Sequence, residues 1–256
     1  MKKIFSVLLG FSLLMSAGNS SAQNKKSVAP AKTPVHKSQS ASIAKKPVAK
    51  TKIKQPIAID TSIRVKITTD SGIIIVKLYD STPLHRDNFV KLVNEHFYDS
   101  LLFHRVIPDF MIQGGDPLSR NAAPGIMLGN GGGDMERIPA EFRSSIIHKK
   151  GALAGARDNN PAKASSACQF YIVEGKPYTD QDLDALEKRS GIKYRREQRT
   201  LYKTIGGTPF LDYGYTVFGE VESGLDVITK ISNVPRNPAD RPNGDVHMYM
   251  EVLGRK

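Results

Sequence analysis

The sequence predicts a mainly β fold in which short strands close into an antiparallel barrel. Short apolar or β-branched runs recur between residues 62 and 254, and glycine-rich turns separate them. Only two ordinary helices are predicted among these strands. A doubly wound parallel sheet would alternate strands and helices along its whole length, so a closed barrel is the better match.

The first two strands are predicted to form a hairpin. Residues 64–68 alternate in polarity, residues 69–72 read Thr-Asp-Ser-Gly and supply a turn, and residues 73–79 return as a β-branched run. Shorter apolar runs predict the later strands, which are expected at 151–156, 168–173, 215–221 and 246–253.

Two helices are predicted between the strands. Ser81 and Thr82 form the expected cap of the first, and Pro83 stands in its first turn. Its buried face is predicted from four apolar residues: Leu84, Phe89, Leu92 and Val93. The second helix is short and is expected at about 225–231.

Residues 177–208 interrupt the rhythm of strands and are predicted to be a helical insertion. Thr179 resembles a helix cap, and Gly191 resembles a helix stop. A second helix is predicted after it, with one apolar face made by Tyr194, Leu201, Tyr202 and Ile205. Its basic residues are Arg195, Arg196, Arg199 and Lys203, and a solvated face is favoured over a binding site for an acidic partner.

The N-terminal residues differ in composition from the predicted barrel. Residues 1–22 have the three-part layout of a secretory signal peptide, and the apolar run is too short to favour a membrane anchor. Residues 23–60 hold nine lysines, four prolines and one acidic residue, which predicts a disordered tether. A solvated spacer is favoured over weak contact with anionic surfaces, and no specific nucleic-acid partner is expected.

Most of the net charge of +12 belongs to these N-terminal residues. Residues 1–60 contain 11 of the 37 basic residues and one of the 25 acidic ones, which leaves 26 against 24 in residues 61–256. The predicted folded domain, 61–256, is therefore close to neutral.

Residues 103–116 carry the strongest functional pattern. An arginine, a methionine and a glutamine, Arg105, Met111 and Gln113, lie in a very apolar run, at positions that differ by even numbers. In a single extended strand all three would project from one face. The run thus predicts an apolar surface holding a positioned cation and an amide, while His104 is predicted to be a packed, hydrogen-bonded histidine.

The run at 103–116 resembles the signature strand of the cyclophilin-type peptidyl-prolyl isomerases. Three further segments are similar to that family in the same order, at 148–157, 166–172 and 210–221. The resemblance implies an eight-stranded closed barrel capped by two helices, with a substrate groove on its outer surface. It implies an enzyme that needs no cofactor, acts on proline-containing unfolded or flexible polypeptides, and is monomeric.

The resemblance also implies roles for individual residues. Arg105 would be the catalytic side chain and Gln113 would orient it, while Gln169 would add a polar wall. The backbone at Ala156 and Arg157 would hold the peptide. The residues expected to line or border a proline pocket are Phe110, Met111, Tyr171, Phe210, Leu211 and Tyr215.

Four of these positions differ from the common pattern of the family, among them Tyr171 in place of phenylalanine and Arg157 in place of asparagine. Tyr215 stands where many members have histidine, and Phe210 stands where many have tryptophan. Losing the indole N–H removes a hydrogen-bond donor, so weak binding of cyclosporin is predicted.

The remaining reactive residue types suggest no other chemistry. The single cysteine, Cys168, lies in an apolar run and is predicted to be a core residue. The six histidines do not show metal-ligand spacing, so no metal is expected. The competing function is a binding module that holds proline segments without turnover. The signal peptide predicts an exported protein, in the periplasm of a Gram-negative cell.

Overall fold

Residues 62–254 are described by the structure, a computed structural model, so the predicted signal peptide and tether lie outside the described residues. In chain order the strands are β1 (Arg64–Thr69), β2 (Gly72–Leu78), β3 (Leu101–Ile107), β4 (Met111–Gly114), β5 (Ala152–Gly155), β6 (Phe170–Val173), β7 (Val217–Ser223) and β8 (His247–Leu253). They close into one barrel in the order β1-β2-β7-β5-β6-β4-β3-β8, and each paired neighbour is antiparallel. The predicted eight-stranded barrel is confirmed.

The β1–β2 hairpin shows how the sequence pattern produces the barrel wall. Val65 pairs with Val76 and Ile67 with Ile74, and all four side chains are fully buried. The intervening side chains face outward, as expected for a strand with one buried face. The turn at 69–72 ends at Gly72, whose φ of +136° suits glycine. The predicted hairpin is confirmed.

The first helix, α1 (Pro83–Asn94), begins where predicted but buries a different face. Its buried residues are His85, Phe89, Leu92 and Val93, which follow the spacing i, i+4, i+7 and i+8. Leu84 lies five residues before Phe89, so it points away from that face and is 50% exposed. The prediction was wrong for Leu84, and His85 takes its place in the core.

The cap of α1 also differs from the prediction. The Thr82 side chain makes no capping hydrogen bond. Instead Glu141, which lies 57 residues after Leu84, accepts hydrogen bonds from the backbone N–H groups of Leu84 and His85 at 3.2 and 3.0 Å. A carboxylate is well suited to this position because the first N–H groups of a helix lack intrahelical partners.

The second predicted helix is confirmed as α4 in chain order (Leu225–Ser232). Val227, Ile228 and Ile231 are buried against the barrel, and each such side chain contributes about 1.5–3 kcal/mol of burial free energy. The main core fills the barrel and continues under both helices. Cys168 belongs to this core and is 1% exposed, which confirms its prediction.

The predicted insertion is confirmed between β6 and β7. It contains α2 (Asp180–Ser190) and α3 (Arg196–Thr204). Thr179 and Asp182 form the reciprocal capping box of α2, and Gly191 ends it at a φ of +73°. Arg199 on α3 forms ion pairs with three acidic residues of α2, namely Asp180, Asp184 and Glu187. Part of the predicted basic face therefore joins the two helices.

The apolar face predicted for the second insertion helix is correct only in part. Tyr202 is fully buried, but Ile205 is 42% exposed and Tyr194 precedes α3. The insertion has its own apolar cluster, formed by Ile147, Leu183, Leu186, Tyr194 and Tyr202. Ile147 belongs to the segment before β5, so this cluster attaches the insertion to the barrel.

The chain leaves and re-enters the barrel through a close backbone contact. Gly207 bridges both Lys149 and Lys176. A Cβ atom on Gly175 would lie 2.4 Å from the Cα of Gly207, and one on Gly206 would lie 2.4 Å from the carbonyl carbon of Lys176. Glycine is therefore required at this neck. None of the helices within residues 62–254 has the length and apolar character needed to span a membrane.

Candidate active site

The segment predicted as one strand is a hairpin, which corrects the prediction. β3 ends at Ile107, the chain turns at 108–110, where Asp109 has a φ of +59°, and β4 begins at Met111. Arg105 pairs directly with Gln113, and Ile107 pairs with Met111. Cross-strand partners project from the same face. Arg105, Met111 and Gln113 therefore do share the outer face of the barrel, as expected.

The guanidinium of Arg105 lies between an amide and a carboxylate. Its Nη1 donates to Oε1 of Gln113 at 3.5 Å, and its Nε lies 3.8 Å from Oδ2 of Asp240. Both contacts are long, and the side chain is 42% exposed. The cation is thus guided by its neighbours and remains accessible. Asp240 was not predicted from the sequence.

Gln113 belongs to a chain of amide hydrogen bonds. Its Nε2 donates to Oε1 of Gln169 at 3.1 Å, and Nε2 of Gln169 donates to the carbonyl oxygens of Gly129 and Gly131 at 3.0 and 2.9 Å. The position of each amide group is fixed by the next one in the chain. Gln169 therefore connects Gln113 to the loop that carries Gly129 and Gly131, in addition to forming a polar surface.

Arg105 faces a hollow of about 100 Å³ on the outside of the barrel, which we call the outer pocket. An apolar cavity of about 150 Å³ can hold benzene, so a hollow of this smaller volume has room for no more than one small ring. It contains nine of the eleven predicted site residues: Arg105, Phe110, Met111, Gln113, Ala156, Arg157, Tyr171, Leu211 and Tyr215. The pattern read from the sequence thus converges on one place.

The other two predicted residues lie at the edges of the outer pocket. Phe210 is 52% exposed, and its ring lies 5.8 Å from that of Phe110, so it forms a rim. Gln169 lines an adjoining hollow of about 420 Å³, the glycine-loop cavity, whose lining includes residues 129–133. The two hollows share Gln113, Ala156 and Arg157. The two hollows therefore adjoin each other, and the glycine-loop cavity has the larger volume.

The side chain of Arg157 takes part in the wall. Its Nε donates to the carbonyl oxygen of Gly214 at 2.7 Å, and its guanidinium carbon lies 4.6 Å from the centre of the Tyr215 ring. This distance is typical of a cation–π contact. The N–H of Ala156 already donates to the carbonyl oxygen of Gln169 at 2.9 Å. That N–H therefore has a partner within the protein.

His104 is the unpaired residue of a β-bulge directly before Arg105 in β3, and it is 3% exposed. Burial is the main reason that its pKa falls from 6.5 to about 4. The predicted packing is correct; neither ring nitrogen makes a hydrogen bond of ordinary geometry within the described residues, although the Leu102 backbone is near enough to raise the pKa slightly. The imidazole is not among the lining residues of the outer pocket.

The Tyr171 wall of the outer pocket is supported by residues that the sequence analysis missed. The Tyr171 hydroxyl lies 2.9 Å from Nε2 of His148, whose Nδ1 lies 2.7 Å from Oδ1 of Asp212. Burial raises the pKa of Tyr171 well above its usual value, so the hydroxyl stays neutral. The only sequence signal was that Asp212 directly follows Leu211. Across residues 62–254, three or more His, Cys, Asp or Glu side chains are nowhere grouped for a metal ion.

Comparison with known proteins identifies the family. The family model "Cyclophilin type peptidyl-prolyl cis-trans isomerase/CLD" matches residues 64–252. A Staphylococcus aureus protein named as a peptidyl-prolyl cis-trans isomerase is 33% identical over 185 residues, which are 72% of this chain and 88% of that protein. A Streptococcus pyogenes protein named as a bifunctional phosphatase/peptidyl-prolyl cis-trans isomerase is 34% identical over 191 residues. This chain covers only 37% of that longer relative.

Solved structures show the same fold. A cyclophilin-type isomerase from Cryptosporidium parvum matches 76% of this chain and 99% of its own, with a TM-score of 0.54 and 20% identity. A second structure of that protein, determined in the presence of the dipeptide Ala-Pro, gives a TM-score of 0.53 and 19% identity. The family match includes the β3–β4 hairpin and every lining residue of the outer pocket. This chain belongs to the cyclophilin-type peptidyl-prolyl cis-trans isomerases.

Proposed function

We propose that Arg105 is the catalytic residue, that the outer pocket receives the proline ring, and that the clients are exported polypeptides. The observation that carries the proposal is the position of Arg105. Its guanidinium lies on the outer face of the barrel and borders the same hollow as Phe110, Met111 and Leu211. A permanent cation beside an apolar slot for one ring is what rotation about an X–Pro bond requires.

The chemistry follows from the electronic structure of the amide. The C–N bond of the amide before proline has partial double-bond character, and its rotation barrier is about 18–20 kcal/mol. In the half-rotated transition state conjugation is broken, so the proline nitrogen regains a lone pair. An N–H of Arg105 can donate to that lone pair, which is absent in both planar isomers. The interaction is therefore stronger in the transition state than in either ground state.

The size of this interaction limits what Arg105 can do alone. A hydrogen bond to a charged group contributes about 1.5–3 kcal/mol, which corresponds to about one to two factors of ten in rate. The outer pocket supplies the rest by fixing the ring and excluding water while the preceding carbonyl swings. Since the N–H of Ala156 is already engaged, backbone contact with the substrate falls mainly to Arg157.

The test is a comparison of Arg105→Ala with the wild type in a coupled isomerisation assay on a proline tetrapeptide. We expect kcat/KM to fall about 10- to 100-fold. Arg189→Ala is the matched control because Arg189 is exposed in the last turn of α2 and far from the hairpin in sequence, so its rate should stay unchanged. Equal rates for Arg105→Ala and the wild type would leave only the binding-module function.

Export is a separate part of the proposal and rests on the layout of residues 1–22. Proline isomerisation takes about 10–100 s without a catalyst, so it can limit the folding of exported chains. Fractionation of cells producing the chain with and without residues 1–22 tests this. We expect the full chain outside the cytoplasm and the shortened chain inside it. Retention of both in the cytoplasm would contradict export.

A further inference from the structure

A buried chain of hydrogen bonds joins the insertion to the outer pocket. The Tyr202 hydroxyl on α3 donates to Oδ2 of Asp212 at 2.5 Å. Oδ1 of Asp212 accepts from the backbone N–H of His148 at 2.8 Å and lies 2.7 Å from its Nδ1. Nε2 of His148 lies 2.9 Å from the Tyr171 hydroxyl. We call these four residues the tyrosine relay.

The direction of each hydrogen bond follows from the groups involved. A carboxylate can only accept, so Nδ1 of His148 must carry a hydrogen. In the neutral imidazole Nε2 then has a free lone pair, and the Tyr171 hydroxyl donates to it. The hydroxyl hydrogen of Tyr171 therefore points away from the outer pocket. The part of Tyr171 that lines the pocket is its aromatic ring and not its polar O–H.

All four relay residues are buried. Tyr202 is fully buried, His148 is 1% exposed, and Tyr171 and Asp212 are 4% and 6% exposed. The His148 ring also lies nearly parallel to the Tyr171 ring, with a centroid distance of 6.1 Å and an interplanar angle of 11°. In such a water-poor setting an unpaired polar group is costly, so each member of the relay restricts the next one.

The tyrosine relay connects the outer pocket to the helical insertion. Tyr171 lines the outer pocket and meets the Tyr215 ring edge-on at 5.8 Å. Tyr202 belongs to the apolar cluster of the insertion. Asp212 directly follows Leu211, a second lining residue of the pocket. A change at Tyr202 therefore reaches the pocket wall through one carboxylate and one imidazole.

We propose that the insertion positions the wall of the outer pocket, with Tyr202, Asp212 and His148 as positioning residues for the Tyr171 ring. The proposal rests on the function proposed above for the outer pocket. Because Tyr171 would contact the proline ring in both isomers, loosening it should weaken binding of ground state and transition state alike. Such a change raises KM and leaves kcat nearly unchanged.

The experiment is a double-mutant cycle on the whole chain with a proline tetrapeptide as substrate. Tyr202→Phe removes the hydroxyl at one end of the relay, and Tyr171→Phe removes it at the other. We expect Tyr202→Phe to raise KM about fivefold in the wild type and by less than about 1.5-fold in Tyr171→Phe, a difference typical of residues in one network. Tyr178→Phe, in the same aromatic cluster as Tyr202, is the matched control and should leave KM unchanged.

The split between KM and kcat separates positioning from a loss of stability. A merely destabilised protein has fewer folded molecules, so its apparent kcat falls while its KM stays constant. If Tyr202→Phe fails to fold, His148→Asn replaces it, because its amide can still donate to Asp212 but cannot reach Tyr171. We then expect His148→Asn to raise KM as Tyr171→Phe does, with no further rise when the two are combined.

Two results would overturn the proposal. One is an unchanged KM in Tyr202→Phe, and the other is the same rise in KM with and without the Tyr171 hydroxyl. Either result would leave the proposed function intact as long as Arg105→Ala remains slow. If Arg105→Ala is as fast as the wild type, the proposed function fails by itself. The ¹⁵N shifts of the His148 ring provide a readout besides activity, and they should show the Nδ1–H tautomer.

Discussion

The outer pocket has two walls that are held in different ways. The Arg105 wall consists of Arg105 with Gln113, Gln169 and Asp240, and the contacts of its cation are 3.5 and 3.8 Å long. The Tyr171 wall is the tyrosine relay, whose hydrogen bonds are between 2.5 and 2.9 Å. The cation is accessible and held by long contacts, whereas the Tyr171 wall is buried and held by short ones.

The largest expected effect comes from breaking the Tyr171 wall at its centre. Asp212→Ala removes a buried carboxylate and leaves His148 and Tyr202 without their partner. Removing one side of a buried polar pair of this kind costs about 3–5 kcal/mol of unfolding free energy. Urea denaturation measures the loss, and the isomerase assay on the folded fraction should show a raised KM.

Glu141→Ala is the matched control for Asp212→Ala. Glu141 accepts from Nδ1 of His85 at 2.8 Å and from two backbone N–H groups, and the far nitrogen of His85 lies 2.9 Å from the Ser165 hydroxyl. This Ser–His–Glu arrangement is buried beneath α1 and reaches neither hollow with a lining side chain. A similar loss of stability with an unchanged KM is expected. A raised KM in both variants would remove the distinction between the two networks.

The second effect concerns His104, which directly precedes Arg105 in β3. Its pKa is 6.5 when unfolded and about 4 when folded, so between these values the unfolded chain binds the extra proton. Stability should therefore fall as pH drops from 6.5 to 4, by about 3 kcal/mol from this residue. Asp116, Arg105 and Arg241 are the charged groups that influence it.

The control for that pH dependence is His104→Leu. Neither ring nitrogen makes a hydrogen bond of ordinary geometry among residues 62–254, so an apolar side chain gives up at most a weak contact with the Leu102 backbone. The difference in unfolding free energy between variant and wild type should change across the pH window. His85, whose pKa burial also lowers, titrates equally in both proteins and cancels. Parallel pH curves would contradict the expectation.

The third effect tests whether the Arg105 wall depends on Asp240. Asp240→Asn removes the charge but keeps a residue type that tolerates its φ of +63°. The pair is partly exposed, so its contribution is about 0.2–1 kcal/mol, and kcat should fall by up to about fivefold. The effect should shrink at high salt. A faster variant would show that the carboxylate draws the guanidinium away from the substrate.

The smallest effect on rate is expected at the rim. Phe210→Trp adds an indole N–H at an exposed position that is not among the lining residues of the outer pocket. The isomerisation rate should change less than about twofold, while cyclosporin binding should tighten roughly tenfold from one new hydrogen bond. Titration calorimetry measures the second value. Tight binding by the wild type would contradict the prediction of weak affinity.

The contrast between the walls also explains how much the sequence could predict. Arg105, Met111 and Gln113 lie within nine residues, so a local pattern placed them on one face even though the chain turns between them. The relay joins residues 148, 171, 202 and 212, and Asp240 reaches Arg105 across 135 positions. Neither strand alternation nor helix periodicity contains information about such contacts. Only the closed barrel brings them together.

The helices show the same limit on a smaller scale. The capping box of Thr179 and Asp182 spans three residues and was readable from the sequence. The cap of α1 depends on Glu141, and the burial of His85 in place of Leu84 depends on how α1 lies on the barrel. Local chemistry therefore predicted where elements begin, and packing determined which face is buried.

The glycine neck has a consequence for how this enzyme can be altered or inherited. The backbones of Gly175 and Gly207 are in contact where the chain leaves and re-enters the barrel. A short turn from residue 175 to residue 207 could therefore replace the whole insertion, which we call the cassette, and the barrel would stay closed. Removing the two helices would still lower stability, because the carboxylate of Asp212 would lose the hydrogen bond that it accepts from Tyr202. We therefore expect that relatives without this cassette carry a different residue at the position of Asp212.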